Sequence, residues 1–323
     1  MNQTSTEKNK TVLIGIIGDS ASGKTTLARG ILNLLGDRVV TMICSDDYHC
    51  YNRNQRKKIG ITALNPAANY IDILEQHLTH LRNGRSILKP VYNHETGEFD
   101  PPEYIKPAKI VVVEGLLGFH TRKMRDCFDI KVYMDPLEEL RIQWKIKRDT
   151  NERGYTREQV LGLLEKRRED SPHFIHPQKA YADIVVRFYS PDPGSSRLQE
   201  TGAGLNVQLV LRPTIPHPEL TSLVEHAANK EDQPVLNLRM DRYDSKPADI
   251  LEIDGKITSE KTEALKKQIA NHLIPGAAQW FLRDIGVYRD GLKKGQSYPL
   301  ALIQLLLTYH IIKAQETLET ALS

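Results

Sequence analysis

The chain predicts an α/β fold, three layers deep, around a mainly parallel sheet, and three observations carry this expectation. Short β-branched runs alternate with helix-patterned stretches as far as about residue 190, the mark of parallel strands joined by crossover helices. The first such run, Val12 to Ile17, feeds a glycine-rich turn and then a helical pattern. Beyond about residue 204, clustered strands precede helices, so an α+β portion is expected to extend the sheet into a mixed one.

The elements follow in order. Residues 1–10 are polar and read as a disordered tail before a core spanning residues 11–189. Its strands are expected at Val12–Ile17, Val39–Cys44, Ile110–Val113, Phe128–Met134 and Ile184–Phe188. Two helices stand between them. Asp72–Asn83 sets Ile73, Leu74, Leu78 and Leu81 at helical spacing, and Pro136–Arg153 does the same with Leu137, Leu140 and Trp144. Residues 190–204 are turn-rich and read as a flexible connection. Residues 205–323 then offer strands at Val207–Leu211, Val235–Met240 and Ile250–Ile253, with helices at Ser259–Leu273 and Ala301–Leu318.

Composition narrows the class. With 44 basic against 41 acidic residues, the surface is too balanced to coat a nucleic acid. Three cysteines cannot all pair, which favours a reducing compartment, and the polar start is no secretory signal. The stretch Leu300 to Ile312 is too short to span a membrane and contains Gln304, Thr308, Tyr309 and His310, so it reads as a buried or interface helix. A cytoplasmic protein without a membrane partner is expected.

Residues Gly18, Asp19, Ser20, Ala21, Ser22, Gly23, Lys24 and Thr25 form a complete Gly-x4-Gly-Lys-Thr phosphate loop, followed by Thr26. A strand entering such a turn before a helix points several N–H groups and the positive end of the helix dipole at one spot. Lys24 is expected to reach the β- and γ-phosphates of ATP, and the Thr25 hydroxyl to ligate Mg²⁺. The fold expected is therefore of the P-loop NTPase type.

After the second strand come Asp46 and Asp47, at the carboxyl edge where open α/β sheets bind ligands. Either could be the base that a phosphoryl transfer to a hydroxyl requires, or both could cap a turn. The run Ile110 to Val113 ends in Glu114, the pattern of an acid supporting Mg²⁺. Lys145, Arg148, Asp149 and Arg153 share one helix face by their spacing. They read either as a solvated, salt-bridged helix end or as a lid bringing cations to a phosphate. The segment Lys89 to Gly97, containing Tyr92 and His94, reads as an extended stretch ending in a turn.

Together these blocks resemble the phosphoribulokinases, ATP-dependent kinases of ribulose 5-phosphate within the P-loop kinases that include uridine kinase. The resemblance runs from about Val12 to Tyr189, through G-D-S-A-S-G-K-T-T, I-C-S-D-D-Y-H, T-A-L-N-P-A-A-N, K-P-V-Y-N-H-E-T-G, D-P-P-E-Y-I-K-P, V-V-E-G-L, W-K-I-K-R-D and I-H-P-Q-K. It implies Asp46 as the base, Glu114 as the Walker B acid, and Lys145, Asp149 and Lys24 as residues of the transfer. His49, Arg53, Tyr92, His94, Arg148 and Arg153 would hold or orient the sugar phosphate, and Arg167 with Arg168 would cover the nucleotide. The resemblance also suggests a homodimer, with the late apolar helix and exposed strand edges as its surfaces. One departure is plain. The light-regulated plant type pairs a phosphate-loop cysteine with the one matching Cys44, whereas Ser22 stands in this loop, and no cysteine follows Cys127. Cys44 and Cys50 are therefore expected to be packed thiols. Two alternatives are carried: a uridine-kinase-like nucleoside kinase, and a non-catalytic nucleotide-binding regulator, whose mark would be a damaged loop or a missing base.

Overall fold

A computed structural model describes residues 10–191, 204–227, 235–273, 285–290 and 293–322. Nearly all of the expected tail and of the expected connection lies outside them.

One eight-stranded sheet organises the chain. Its parallel part comprises β1 (Val12–Gly18), β2 (Val40–Cys44), β5 (Ile110–Gly115), β6 (Ile130–Met134) and β7 (Ile184–Tyr189), in the order β2-β5-β1-β6-β7. The sheet then continues antiparallel through β8 (Asn206–Leu211), β10 (Lys246–Ile253) and β9 (Leu236–Tyr243). The mixed sheet is thus the expected one, with boundaries moved by a few residues. The central strand β1 is buried along its whole length, as a strand covered on both faces must be. Its alternation divides the core: Val12, Ile14 and Ile16 join one apolar cluster, while Leu13 and Ile17 join another.

Helices α1 (Lys24–Leu35), α3 (Ile71–Arg82) and α5 (Glu138–Glu152) lie where the sequence places helices. Shorter helices are α2 (Arg53–Ile59), α4 (Arg122–Asp126), α6 (Arg157–Lys166) and α7 (Thr221–Ala227). α8 (Ser259–Leu273) follows, and α9 (Tyr298–Leu322) closes the described chain. The stretch Leu300 to Leu307 is at most 4% exposed within this chain, and even Gln304 and Thr308 are wholly buried. That stretch is therefore a core element of this chain, while the helix beyond it becomes half-buried and then exposed. Gln304 joins distant parts: its amide nitrogen donates to the Thr26 carbonyl (3.2 Å), and its oxygen accepts from the Gly286 N–H (2.7 Å).

An unexpected feature is the antiparallel hairpin of β3 (Ile87–Tyr92) and β4 (Phe99–Ile105). The ladder slips between Lys89 and Val91, at Pro90, which has no N–H to donate. Its turn is tied by Asn93, whose side-chain oxygen accepts from the N–H groups of Glu95 and Thr96. Among the described residues, no helix is long and apolar enough to cross a membrane.

Candidate active site

The phosphate loop leaves β1 at Gly18 and enters α1 at Lys24. Gly23 adopts φ +94°, a conformation glycine takes freely. Ala21 adopts φ +65°, which costs a residue with a Cβ roughly 1–2 kcal/mol. The ties that hold this turn come from a distant helix. Arg141 of α5, 7% exposed, donates through Nη1 to the Ser20 carbonyl at 3.1 Å. The Ser20–Ala21 peptide is trans, so its N–H points opposite to that carbonyl and away from Arg141. Arg141 is itself held in a fork by Glu138, at 2.7 and 2.5 Å.

Asp19 completes the clamp. Its carboxylate accepts from the Ser20 N–H (2.5 Å) and the Ser171 hydroxyl (2.5 Å), and it lies 3.6 Å from Arg141 and 3.8 Å from His176. Burial alone would push this carboxyl up. The nearby His176, the Ser171 hydrogen bond and the Arg141 charge outweigh burial and hold it well below the usual carboxylate range. Lys24 Nζ donates to the Asp19 carbonyl at 2.7 Å. Ser22 is fully buried and its hydroxyl has no partner. Thr26 is half-buried behind the loop.

Glu114 ends β5 one strand away from the loop, and its Oε1 accepts from Thr25 Oγ1 at 3.0 Å. A hydroxyl and a carboxylate that converge this way make an all-oxygen donor set, which suits a hard cation such as Mg²⁺. Burial raises the Glu114 carboxyl, against the pull of Lys24.

The two aspartates after β2 have different fates. Asp47 is spent on structure: its Oδ2 forms a salt bridge with Lys89, and its Oδ1 accepts from the Tyr92 N–H at 3.1 Å. It pins the β3–β4 hairpin to the sheet edge. Asp46 accepts one hydrogen bond, from the Leu116 N–H at 3.1 Å, and stays half-exposed to the cleft. The strand pairing of Cys44 with Glu114 brings it beside the Thr25–Glu114 pair.

His49 is 2% exposed and its tautomer follows from its neighbour. The Asn69 amide nitrogen donates to the carbonyls of Ala63 and Asn65, so the Asn69 oxygen faces His49 Nδ1 at 2.6 Å. Nδ1 therefore carries the proton and Nε2 is an acceptor. Burial drives the His49 pKa down to about 4, opposed by Asp46 and aided by Arg56, so the ring is neutral near pH 7. Burial also lowers His94, on the hairpin turn. Tyr92 is 4% exposed, edge-on to both histidines (4.7 and 5.1 Å), with its hydroxyl taken by Arg56 at 2.6 Å. It braces these groups from behind. Arg53 at the start of α2 donates to the carbonyls of His94 (2.5 Å) and Glu95 (3.3 Å). Its side chain lies against Gly97, where an added Cβ would meet it at 2.7 Å.

On α5, Arg141, Lys145 and Asp149 recur every four residues and are all buried. The reading of this stretch as a solvated helix end does not fit. Lys145 and Asp149, 2.7 Å apart, have side chains only 2% exposed, so this is no solvated helix end. Asp149 also gathers Arg148 (2.8 Å) and Arg153 (3.5 Å), whose side chains keep 27% and 28% exposure toward the cleft. Arg148 reaches the Ser20 hydroxyl at 3.3 Å, which ties this cluster to the phosphate loop. Burial, then the Arg167 charge, pushes Lys145 down to about 7 against the pull of Asp149. Arg167 is half-buried within the field of Asp19, Asp149 and Asp46. Arg168 is exposed and pairs with Glu165, away from this cluster.

Sequence reasoning missed Arg56, Asn69 and Arg141. Arg141 did leave a signal, since it starts a polar stripe with Lys145 and Asp149 at a spacing of four. Arg56 and Asn69 left none of their own, because Tyr92 and His49, which they hold, lie 36 and 20 residues away.

What this cleft offers is a grip on phosphate, a proton acceptor and fixed positive charge, and those are the working parts of a P-loop kinase. Comparison with known proteins narrows the class: residues 13–191 match the Phosphoribulokinase / Uridine kinase family, and the chain belongs to that family. It is 35% identical to a phosphoribulokinase of Synechocystis sp., over 97% of this chain and 96% of that one. A chloroplastic phosphoribulokinase of Arabidopsis thaliana is 32% identical over 76% of this chain and 69% of its own length. Among solved structures, the phosphoribulokinase from Rhodobacter spheroides shares the fold, with a TM-score of 0.58, 22% identity, and coverage of 84% of this chain and 99% of that one. The Synechocystis match continues through the C-terminal third, where the sequence blocks give out.

Proposed function

We propose that the chain transfers the γ-phosphoryl group of ATP to the 1-hydroxyl of ribulose 5-phosphate, giving ribulose 1,5-bisphosphate, with Asp46 as the base. The observation that carries this reading is the division of labour between the aspartates. Asp47 has both oxygens engaged in holding the hairpin, while Asp46 keeps a lone pair open beside the Mg²⁺ seat. Asp46 takes the hydroxyl proton as the acceptor oxygen attacks the γ-phosphorus. Lys24 and the loop amides hold the transferred group and the leaving diphosphate. Thr25 Oγ1 and Glu114 would hold Mg²⁺, which would supply charge neutralisation across the phosphates.

The acceptor side favours a phosphorylated sugar over a nucleoside. Arg53, Arg148 and Arg153 bring three guanidinium groups to it, which suits bidentate capture of a phosphate. Neutral His49 plays a different part, with Nε2 accepting a hydrogen bond from a sugar hydroxyl. The intact loop and the open carboxylate also argue against a non-catalytic regulator. A steady-state assay with ATP and either ribulose 5-phosphate or uridine tests the proposal. Turnover of the sugar phosphate is expected, and turnover of uridine alone would reject the reading.

A homodimer in the cytoplasm fits the remaining features. β9 ends the sheet with Met240 88% exposed, and Cys44, Cys50 and Cys127 are all unpaired, as in a reducing compartment. Sedimentation velocity of the purified chain would test the dimer.

A further inference from the structure

Cys44 has no part in the chemistry above, yet it stands in the middle of it. The Cys44 thiol, an Asp46 carboxylate oxygen and a His94 ring nitrogen lie within 4.8 Å of one another, all in half-buried residues. We infer that these three residues form a site for a thiophilic divalent cation, Zn²⁺ above all, and that its occupation switches the enzyme off.

The chemistry of the donors separates this site from its neighbour. Thr25 and Glu114 offer only hard oxygens, which suit Mg²⁺. One strand over, a thiolate and an imidazole join a carboxylate, a set that selects a softer ion. Three protein ligands with a fourth position open to the cleft is the layout of an accessible zinc site rather than a closed structural one. Zinc–ligand bonds of about 2.0–2.3 Å need the three donor atoms to draw together by about 1 Å. His94 is on a hairpin turn, the kind of element that makes such an adjustment easily.

The surroundings set the charge balance. Burial first, and then the charges of Glu114, Asp46 and Asp47, push the Cys44 thiol well up, so it stays protonated in the absence of metal. Binding Zn²⁺ releases that proton to solvent, and the sulfur lone pair goes to the metal. The two anionic ligands then match the two charges of the ion. Arg148 and Arg153, which also act on His94, oppose binding, so the site is expected to load reversibly. The consequence for catalysis is direct, because the carboxylate that coordinates Zn²⁺ is the one proposed to accept the proton.

The test uses the full chain and Co²⁺ as a spectroscopic stand-in. Titration should raise a thiolate-to-cobalt charge-transfer band that Zn²⁺ abolishes by displacement. Cys44→Ser, and separately Cys44→Ala, should lose the band while Cys50→Ser keeps it, with thermal melting confirming that each variant is folded. In the kinase assay, Zn²⁺ should inhibit the wild type, while a folded Cys44 variant keeps its basal turnover and needs at least ~10-fold more Zn²⁺, the lower end of what even a lost outer partner costs a metal site. His94→Asn should weaken Co²⁺ binding by a similar factor. Absence of any band, or a band that survives in folded Cys44 variants, overturns the inference. The cobalt spectrum decides this even if the acceptor proves to be something other than ribulose 5-phosphate.

Discussion

The two halves of the cleft are built on different principles. The donor half is one continuous stretch, Gly18 to Thr26, whose shape comes from its own backbone and is locked from outside by Arg141, Ser171 and His176. The acceptor half is gathered from the β2–α2 segment, the β3–β4 hairpin and the end of α5. It is held by ties between residues far apart in sequence, such as Asp47 with Lys89 and Arg53 with the His94 carbonyl. A local motif tolerates little variation, whereas an assembled pocket can be re-specified by moving one segment. Binding of ATP and choice of acceptor should therefore be separable by mutation.

The largest expected effect crosses both halves. Asp46→Asn should lower turnover ~10²–10⁴-fold, the usual contribution of a general base, with ATP affinity nearly intact. A loss under about tenfold would remove Asp46 from that role. Next comes a break confined to the acceptor half. Asp47→Ala leaves Lys89, whose side chain is 6% exposed, without its buried partner. A stability loss of ~3–5 kcal/mol is expected from such a break, together with a raised sugar-phosphate KM. Unchanged denaturant unfolding would show that the hairpin is anchored by something else. The matching break in the donor half is Arg141→Met, which frees the Ser20 carbonyl. A hydrogen bond from a charged group contributes about 1.5–3 kcal/mol, so calorimetry should find ATP bound roughly 10–100-fold more weakly. If the acceptor KM rose as much, the two halves would not be separable. Arg53→Ala should be milder still, raising the KM for the sugar phosphate while kcat holds.

The smallest effect is one of pH. The folded pKa of His49 is about 4, below its ordinary 6.5, so between these values the unfolded chain binds more protons than the folded one. The contribution of this group to stability is therefore intact above pH 6.5 and declines as the pH falls through about 4. Melting curves across that range should show the decline, and His49→Asn should flatten it. An equal slope in the variant would place the acid sensitivity elsewhere.

Legibility in the sequence followed the same division. The phosphate loop and the parallel strands were readable because each is a local pattern: a fixed spacing, or a β-branched run between turns. The hairpin was not. β4 runs Phe-Asp-Pro-Pro-Glu-Tyr-Ile, its prolines have no N–H to donate to a ladder, and six of its seven residues are exposed, so no alternation betrays it. Choosing between Asp46 and Asp47 rested on resemblance alone, since what distinguishes them is Lys89, 42 residues away. The α5 cluster was recognised as charge on one face, but its burial depends on the loop it packs against. Leu300 to Ile312 read equally as core or interface, because an apolar stripe does not say whose surface covers it.

That last helix has a consequence for how the molecule comes into being. Gln304 reaches back 278 residues to the Thr26 carbonyl, and its amide fills the space where Gly30 lacks a side chain. During synthesis, the helix behind the phosphate loop leaves the ribosome some 278 residues ahead of the residue that covers this face. Nucleotide binding is thus expected to appear late in translation, and a transcript broken before α9 should yield a product that chaperones retain rather than a smaller working kinase.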